Sequence, residues 1–167
     1  MNYLRLSYCL AALAAAGLVL SACSTPGSDF SFGPKPEPAP SAPTEFPARY
    51  AAAELVGRWG VASYHRDADR ARMEVAARGQ CGKAYVISKG PTGGVMMHLP
   101  DQRTAQELRL KGAADSKTYI GPAGEAGGEQ DREILSFDGR VLVVRYVDPE
   151  VASRFGTMVY VRCAPRA

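Results

Sequence analysis

The 167-residue sequence lacks a strong excess of charge of either sign. Its 20 lysines and arginines stand against 17 aspartates and glutamates, which gives a formal net charge of +3. Proteins that bind nucleic acid through many phosphate contacts carry a larger basic excess, so we expect no nucleic-acid partner. Residues 6–23 carry no charge at all, and seven of the 12 prolines fall in residues 24–47. The other residues, about 120, suffice for one hydrophobic core.

The sequence motifs of common catalytic and nucleotide-binding sites are also missing. There is no Gly-x-Ser-x-Gly, no Walker loop and no dinucleotide-binding fingerprint. The two histidines, His65 and His98, do not have a metal-binding spacing. Asp131 and Glu133 form a carboxylate pair that we expect to lie on a solvated strand face. The sequence therefore predicts a protein that is not an enzyme and that uses no cofactor and no metal ion.

The uncharged N-terminal segment has the features of a signal peptide. Arg5 precedes an apolar run over residues 8–20, which at 13 residues is short for a membrane span. The run ends in Leu-Ser-Ala-Cys at residues 20–23, which resembles the lipobox of bacterial lipoproteins. The resemblance implies cleavage of a signal peptide, residues 1–22, and acylation of Cys23. The alternative is an ordinary secretory signal peptide with the same cleavage site.

The residues after Cys23 indicate a location and a tether. Enteric bacteria retain lipoproteins with aspartate after the cysteine at the inner membrane, whereas this chain has Ser24. The resemblance therefore implies anchorage to the cell outer membrane, facing the periplasm, through acyl chains that contribute about 0.8 kcal/mol per CH₂. Residues 23–49 contain alternating prolines over residues 34–40, which exclude a helix or an inner strand. We expect this segment to be an extended tether.

Two cysteines, Cys81 and Cys163, remain once Cys9 leaves with the leader and Cys23 carries lipid. An oxidising compartment makes a disulfide the expected state of such a pair. A metal site is the alternative, but the two residues lack the close spacing of metal ligands. The disulfide would close a loop of about 83 residues.

Residues 50–167 are predicted to form one mostly-β domain. The clearest element is a hairpin over residues 134–147, with Asp138-Gly139 as a two-residue turn. That turn would place five apolar side chains on the core face: Leu135, Phe137, Leu142, Val144 and Tyr146. About seven or eight short strands with one inserted short helix indicate a small antiparallel barrel or a closed sandwich.

The inserted helix is predicted over residues 67–78, with Asp67 as its N-cap. Four residues are expected to face the core: Ala68, Ala71, Met73 and Val75. Arginines in and beside the helix form a candidate basic surface that could meet anionic lipid headgroups or peptidoglycan carboxylates: Arg66, Arg70, Arg72 and Arg78. A solvated charged face without a ligand is the alternative.

The first predicted strand begins Gly57-Arg58-Trp59, which resembles the Gly-x-Trp opening of calycin-type barrels such as lipocalins. The resemblance implies that Trp59 closes the barrel base and that Arg162, late in the last strand, packs across it. The motif also resembles that of Inh-type protease inhibitors, which are eight-stranded barrels with one disulfide. The order of lipobox, proline-rich tether and Gly-x-Trp barrel is similar to that of some alphaproteobacterial outer-membrane lipoproteins. Those inhibitors place a cysteine soon after the tryptophan, whereas Cys81 follows Trp59 by 22 residues.

Three functions fit these observations. The first is a lipid-anchored cell-envelope protein with a non-enzymatic binding or envelope-organising role, whose partner would be an envelope protein or peptidoglycan. The second is a periplasmic protease inhibitor of the Inh type. The third is a calycin-like binder of a small apolar ligand, which requires a roomy apolar cavity inside the barrel.

Overall fold

We analysed a computed structural model of the chain, which describes residues 46–164. The predicted signal peptide, Cys23 and most of the tether lie outside these residues. Within this described range there are three α-helices: α1 (Ala52–Leu55), α2 (Arg70–Gly79) and α3 (Pro149–Phe155). The strands are β1 (Gly57–Tyr64), β2 (Tyr85–Lys89), β3 (Val95–His98), β4 (Ala105–Gly112), β5 (Thr118–Gly121), β6 (Arg132–Phe137), β7 (Val141–Tyr146) and β8 (Thr157–Arg162).

The strands form a closed antiparallel barrel. Each strand pairs with the next along the chain, and β8 returns to pair with β1, with Trp59 opposite Arg162 and Tyr64 opposite Thr157. Full closure leaves no sheet edge unpaired. The prediction of a small antiparallel barrel with an inserted helix is therefore confirmed. No helix within residues 46–164 is both long and apolar enough to cross a membrane.

Side chains pointing inward along the strands fill the barrel. Because strand side chains alternate between two faces, each strand contributes every second residue to this core. Its fully buried members include Trp59, Ile87, Val95, Met97, Leu108, Ile120, Leu142 and Val144. A smaller cluster lies on the outer face, where α2 covers Tyr64, Val143, Val159 and Val161.

Helix α2 packs against this outer face differently from the sequence prediction. Ala77 is fully buried and Met73 packs beside it, whereas Val75 is 65% exposed and Ala68 and Ala71 are also exposed. The predicted inward position was therefore wrong for Ala68, Ala71 and Val75 and right for Met73. The inward face of α2 is set by its contact with the barrel. The helix approaches β1 so closely that a Cβ on Gly60 would lie only 1.8 Å from the Ala77 carbonyl oxygen.

The start of α2 also differs from the prediction. Asp67–Asp69 form a single 3₁₀ turn, and the helix proper begins at Arg70. The predicted capping role of Asp67 was therefore wrong, and the residue before the helix, Asp69, makes no capping hydrogen bond either. Its carboxylate instead accepts hydrogen bonds from Arg66 and Arg72, which compete with the helix N–H groups for the same oxygens.

A β-bulge in β6 changes which residues of the predicted hairpin face inward. Ile134 pairs with Val144 and Ser136 pairs with Val143, so Leu135 between them has no partner on β7. Because one extra residue reverses the alternation, Leu135 faces outward and is 40% exposed. The inward position predicted for Leu135 was therefore wrong, whereas the other four residues of the predicted face point into the barrel or its cavity.

The turn of this hairpin is also shifted. Phe137 pairs with Leu142, so the turn is centred on Gly139 and Arg140 rather than on Asp138 and Gly139. Gly139 has a φ of 84°, a conformation that favours glycine. The Asp138 carboxylate accepts hydrogen bonds from the backbone N–H of Arg140 at 2.8 Å and of Val141 at 2.7 Å.

Helix α3 has no counterpart among the elements predicted from the sequence. The Asp148 carboxylate caps the helix by accepting from the N–H groups of Glu150 and Val151, and Pro149 occupies the first helical position. This is a common order for a helix start. The sequence therefore contained a usable signal for α3.

The segment from Phe46 to Tyr50, mostly predicted as tether, already contacts the barrel. Phe46 forms a β-bridge with Gly112, and the Arg49 N–H donates to the Thr118 hydroxyl at 3.1 Å. The Tyr50 ring packs edge-on against Phe137 at a centroid distance of 5.2 Å. The chain thus meets the barrel a few residues before the predicted boundary at residue 50.

Cys81 and Cys163 form a disulfide, with their Cα atoms 5.6 Å apart. Cys81 lies in the 3₁₀ turn Gln80–Lys83 that follows α2, and Cys163 directly follows β8. The covalent link therefore fastens the C-terminal end of α2 to the end of the last strand.

A candidate binding site at the open end of the barrel

One end of the barrel, which we call the closed end, is covered by Trp59 and Arg162. Trp59 is fully buried, and its indole Nε1–H donates to the Leu55 carbonyl at 2.9 Å. The Arg162 guanidinium lies 4.2 Å from the centre of the Trp59 ring and donates to backbone carbonyls, including that of Gly139 at 2.7 Å. A Cβ on Gly57 would lie 2.6 Å from this guanidinium, which explains the glycine of the Gly-Arg-Trp motif.

The opposite end, which we call the open end, contains a cavity of about 310 Å³. It lies between the β3–β4 connection, residues 99–104, and helix α3, which contributes Phe155. Its wall combines aromatic rings with a few polar groups, and its lining includes Lys83, Tyr85, His98, Arg132, Tyr146, Phe155 and Tyr160. Concave sites with aromatic walls and a few polar groups are typical of small-molecule binding.

Arg132 is the central charged group of this cavity. Only 1% of the residue is exposed, because the bulge in β6 places it on the inward face at the start of the strand. One terminal nitrogen donates to the His98 carbonyl, and the guanidinium carbon lies 5.1 Å from the centre of the Tyr146 ring. The Nε–H is buried and has no hydrogen-bond partner among residues 46–164. Such orphaned donors are rare in folded proteins.

No carboxylate within the described residues neutralises Arg132 through an ion pair. The one acidic residue lining the cavity, Asp101, is exposed and pairs with Arg154. Lys83 adds a second positive charge to the lining. A buried charge without a partner is costly, so the cavity electrostatically favours an anion.

The hydroxyls of Tyr85 and Tyr160, which line the cavity, stay protonated over a wide pH range. The Tyr85 hydroxyl accepts from the His98 N–H at 2.9 Å and lies 3.2 Å from the His98 Nδ1. Burial raises the pKa of Tyr85, an effect that the hydrogen bond from His98 partly opposes. Burial also raises the pKa of Tyr160 to about 12, although the positive charge of Arg132 opposes the rise. Both hydroxyls therefore remain neutral groups at physiological pH.

The raised pKa of Tyr160 predicts a loss of stability at alkaline pH. Below pH 10 the phenol is protonated in both the folded and the unfolded chain, so its contribution is complete. Between about pH 10 and 12 the Tyr160 phenol ionises in the unfolded chain but not in the folded one. This difference lowers the free energy of unfolding by about 3 kcal/mol in total. Denaturant titrations across this range should show a shallower decline for Tyr160→Phe than for the unmodified protein.

A matched control for this titration is Tyr50→Phe, since Tyr50 packs at the closed end. The control should decline with pH as the unmodified protein does. An identical decline for Tyr160→Phe and the unmodified protein would contradict the assignment of this pH dependence to Tyr160.

The predicted basic surface beside α2 lies on the outer face and consists largely of ion pairs. Arg66 and Arg72 both contact Asp69, at 2.9 and 3.0 Å, and Arg70 contacts Glu74 at 3.0 Å. Arg78 is exposed at the C-terminal turn of the same helix. The structure thus brings three of the four predicted arginines into contact with acidic residues and none of the four into the cavity.

Asp131 is buried rather than solvated, so that part of the carboxylate prediction was wrong. Its side chain accepts from Lys111 Nζ at 2.7 Å and from the backbone N–H of Gly127 and Gly128 at 2.8 and 3.0 Å. The carboxylate holds the β5–β6 loop against β4. Within residues 46–164 no group of three or more histidines, cysteines and acids could hold a metal ion.

Sequence reasoning named His98 but missed Arg132, Tyr85, Tyr146 and Tyr160 as a site. Arg132 stands next to Asp131 and Glu133 in a charged stretch that resembles a solvated strand end. Regular alternation back from Phe137 would also place it outward, and no sequence motif marks the bulge that reverses its direction. The one available signal was the set of tyrosines on inward positions of β2, β7 and β8.

Fold and site together define this domain as a closed eight-stranded antiparallel barrel with a filled interior and a positively charged cavity at one end. Comparisons of the chain with protein-family models, with curated proteins and with solved structures found no match.

Proposed function

We propose that the protein is a lipid-anchored cell-envelope protein whose barrel has a non-enzymatic binding role. The lipobox-like residues 20–23 and the proline-rich tether support the anchorage. The single observation that supports the binding role most is the buried guanidinium of Arg132, which faces a cavity without a neutralising carboxylate. A site of this kind receives a ligand at the barrel end while the rest of the barrel serves as a rigid support.

The packing of the barrel distinguishes this function from the binding of a small apolar ligand inside the barrel. The interior between the two ends is occupied by large side chains such as Met97, Leu108 and Ile120, all fully buried. The cavity at the open end is small and is lined by charged and hydroxyl groups as well as rings. A calycin-like role with a small apolar ligand inside the barrel is therefore the least favoured of the three functions.

Protease inhibition of the Inh type is the second candidate. The observation that favours it is a closed eight-stranded barrel with one disulfide, the architecture that the resemblance implies for that type. The disulfide departs from that type in position, because Cys81 follows α2 rather than β1 directly. An inhibitor would lower the activity of a target protease at near-stoichiometric ratio, whereas a binder of small ligands would not.

The anchorage is tested by replacing Cys23 with serine in the full-length chain expressed in a Gram-negative host. The unmodified protein should incorporate labelled palmitate and sediment with outer membranes, because several acyl chains make attachment effectively permanent. Cys23→Ser should lose the label and the lipid-dependent attachment. The matched control is Cys9→Ser, which removes a cysteine from the leader and should leave both properties unchanged. Continued labelling of Cys23→Ser would refute the assignment of the acylated residue.

A further inference from the structure

We infer that the open-end cavity binds a small organic monocarboxylate with a planar or aromatic body, whose carboxylate pairs with Arg132. The inference rests on the proposed function, since it names the ligand class of the same cavity. It depends on three features of the cavity, namely its charge, its donors and its size.

The positive charge of the cavity favours an anion as the ligand. Because Arg132 is the one buried cation in the cavity lining, a singly charged anion fits best. Arg132 is almost fully buried and forms no ion pair with a described residue. Lys83 stands farther out, in the turn after α2, where it is exposed. A monoanion matches one buried guanidinium, whereas a dianion would carry a second charge into the cavity with no second buried cation to meet it.

The donor geometry selects a carboxylate. A guanidinium presents parallel N–H donors in a planar fork that matches the two oxygens of a carboxylate. One terminal nitrogen of Arg132 already donates to the His98 carbonyl, whereas its Nε–H has no partner within the described chain. Arg132 and Tyr160 both line the cavity, so a carboxylate that enters it meets the guanidinium beside a hydroxyl group.

Size and wall chemistry select the body of the ligand. A cavity of about 310 Å³ is about twice the ~150 Å³ that holds one benzene molecule. It therefore has room for one ring and a carboxylate but not for a long acyl chain. The rings of Tyr146 and Phe155 lie 5.7 Å apart on the wall, and Tyr85 and Tyr160 lie 5.9 Å apart beside them. Aromatic walls of this kind pack well against a planar body.

The test is isothermal titration calorimetry on the full-length chain in detergent micelles with three probes: benzoate, benzamide and inorganic phosphate. Benzoate should bind, and benzamide, which has the same shape without the charge, should bind about tenfold more weakly or worse. Phosphate should also bind more weakly than benzoate, because it lacks the planar body.

Variants locate the interaction. Arg132→Met keeps the length of the side chain and removes the charge, so benzoate affinity should fall by about tenfold or more. Arg132→Lys keeps the positive charge but lacks the forked N–H donors. Its benzoate affinity should lie between those of the unmodified chain and Arg132→Met. Arg145→Met is the matched control, because Arg145 is an exposed arginine of the adjacent strand β7, and it should bind benzoate as the unmodified chain does.

A second variant tests the cavity independently in case Arg132→Met does not fold. Phe155→Trp enlarges a wall residue contributed by α3 and should weaken benzoate binding while the guanidinium stays in place. Equal binding of benzoate by Arg132→Met and the unmodified chain would overturn the inference, as would equal affinity for benzoate and benzamide. The latter result would leave the binding role of the cavity intact. Failure of all three probes at millimolar concentration would overturn the inference while leaving the anchorage, tested separately through Cys23, unaffected.

Discussion

Replacement of both Cys81 and Cys163 with alanine is expected to lower the free energy of unfolding by about 4.5 kcal/mol. The disulfide spans 82 positions of sequence, so it restricts the unfolded chain over most of the domain. It also fastens the end of α2 to the end of β8, where the helix covers the outer cluster of the barrel. Denaturant titration of the double variant and of the unmodified chain measures the difference directly.

Cys23→Ser is the control for the double variant, because it removes a cysteine without removing a cross-link. Its unfolding midpoint should match that of the unmodified domain. Thiol alkylation provides an independent check, since Cys81 and Cys163 should react only after reduction. Labelling of both thiols in the native, unreduced protein would contradict the disulfide, and an unchanged midpoint in the double variant would contradict its stabilising role.

Replacement of Trp59 with alanine should cost about 4 kcal/mol of folding stability. The side chain is fully buried, so its removal leaves a large cavity at the closed end of the barrel. The change also removes the hydrogen bond to Leu55 and the ring on which Arg162 lies. Urea titration followed by circular dichroism gives the measurement, because Trp59 is the sole tryptophan and its fluorescence is lost in the variant.

Two further variants serve as references for the stability lost in Trp59→Ala. Trp59→Phe keeps a ring beneath Arg162 and should cost less than half as much as Trp59→Ala. Val86→Ala, at a strand position that is 58% exposed, should have almost no effect, because little apolar surface is lost there. A similar small effect for Trp59→Ala would show that the closed end does not depend on this residue.

The parts of the fold that the sequence predicted correctly are those encoded by local pattern or by composition. Short apolar alternating runs are typical of strands, and in β4 Leu108 points inward whereas Glu107 points outward. The two cysteines of the predicted domain, Cys81 and Cys163, indicated the disulfide that the structure has. Trp59 and Arg162 were placed together by resemblance to barrels with the same opening motif, and the structure brings their side chains into contact.

The parts that the sequence did not predict depend on contacts between distant segments. The inward face of α2 follows from the close approach of Ala77 to Gly60, a packing contact across 17 positions that the helical periodicity does not contain. The candidate site depends on Arg132 pointing inward, which follows from a bulge whose position is decided by pairing with β7. Propensity alone assigns a charged residue at a strand end to solvent.

The bulge in β6 also has a consequence for chain length. Leu135 is a surplus residue, because Arg132, Ile134 and Phe137 all face inward only if one residue between them is left out of the alternation. A chain lacking Leu135 would have a regular strand with the same three residues inward. Related proteins could therefore differ by one residue in this strand and still retain the guanidinium at the open end. A sequence alignment with a one-residue gap at position 135 is therefore compatible with the same open-end cavity.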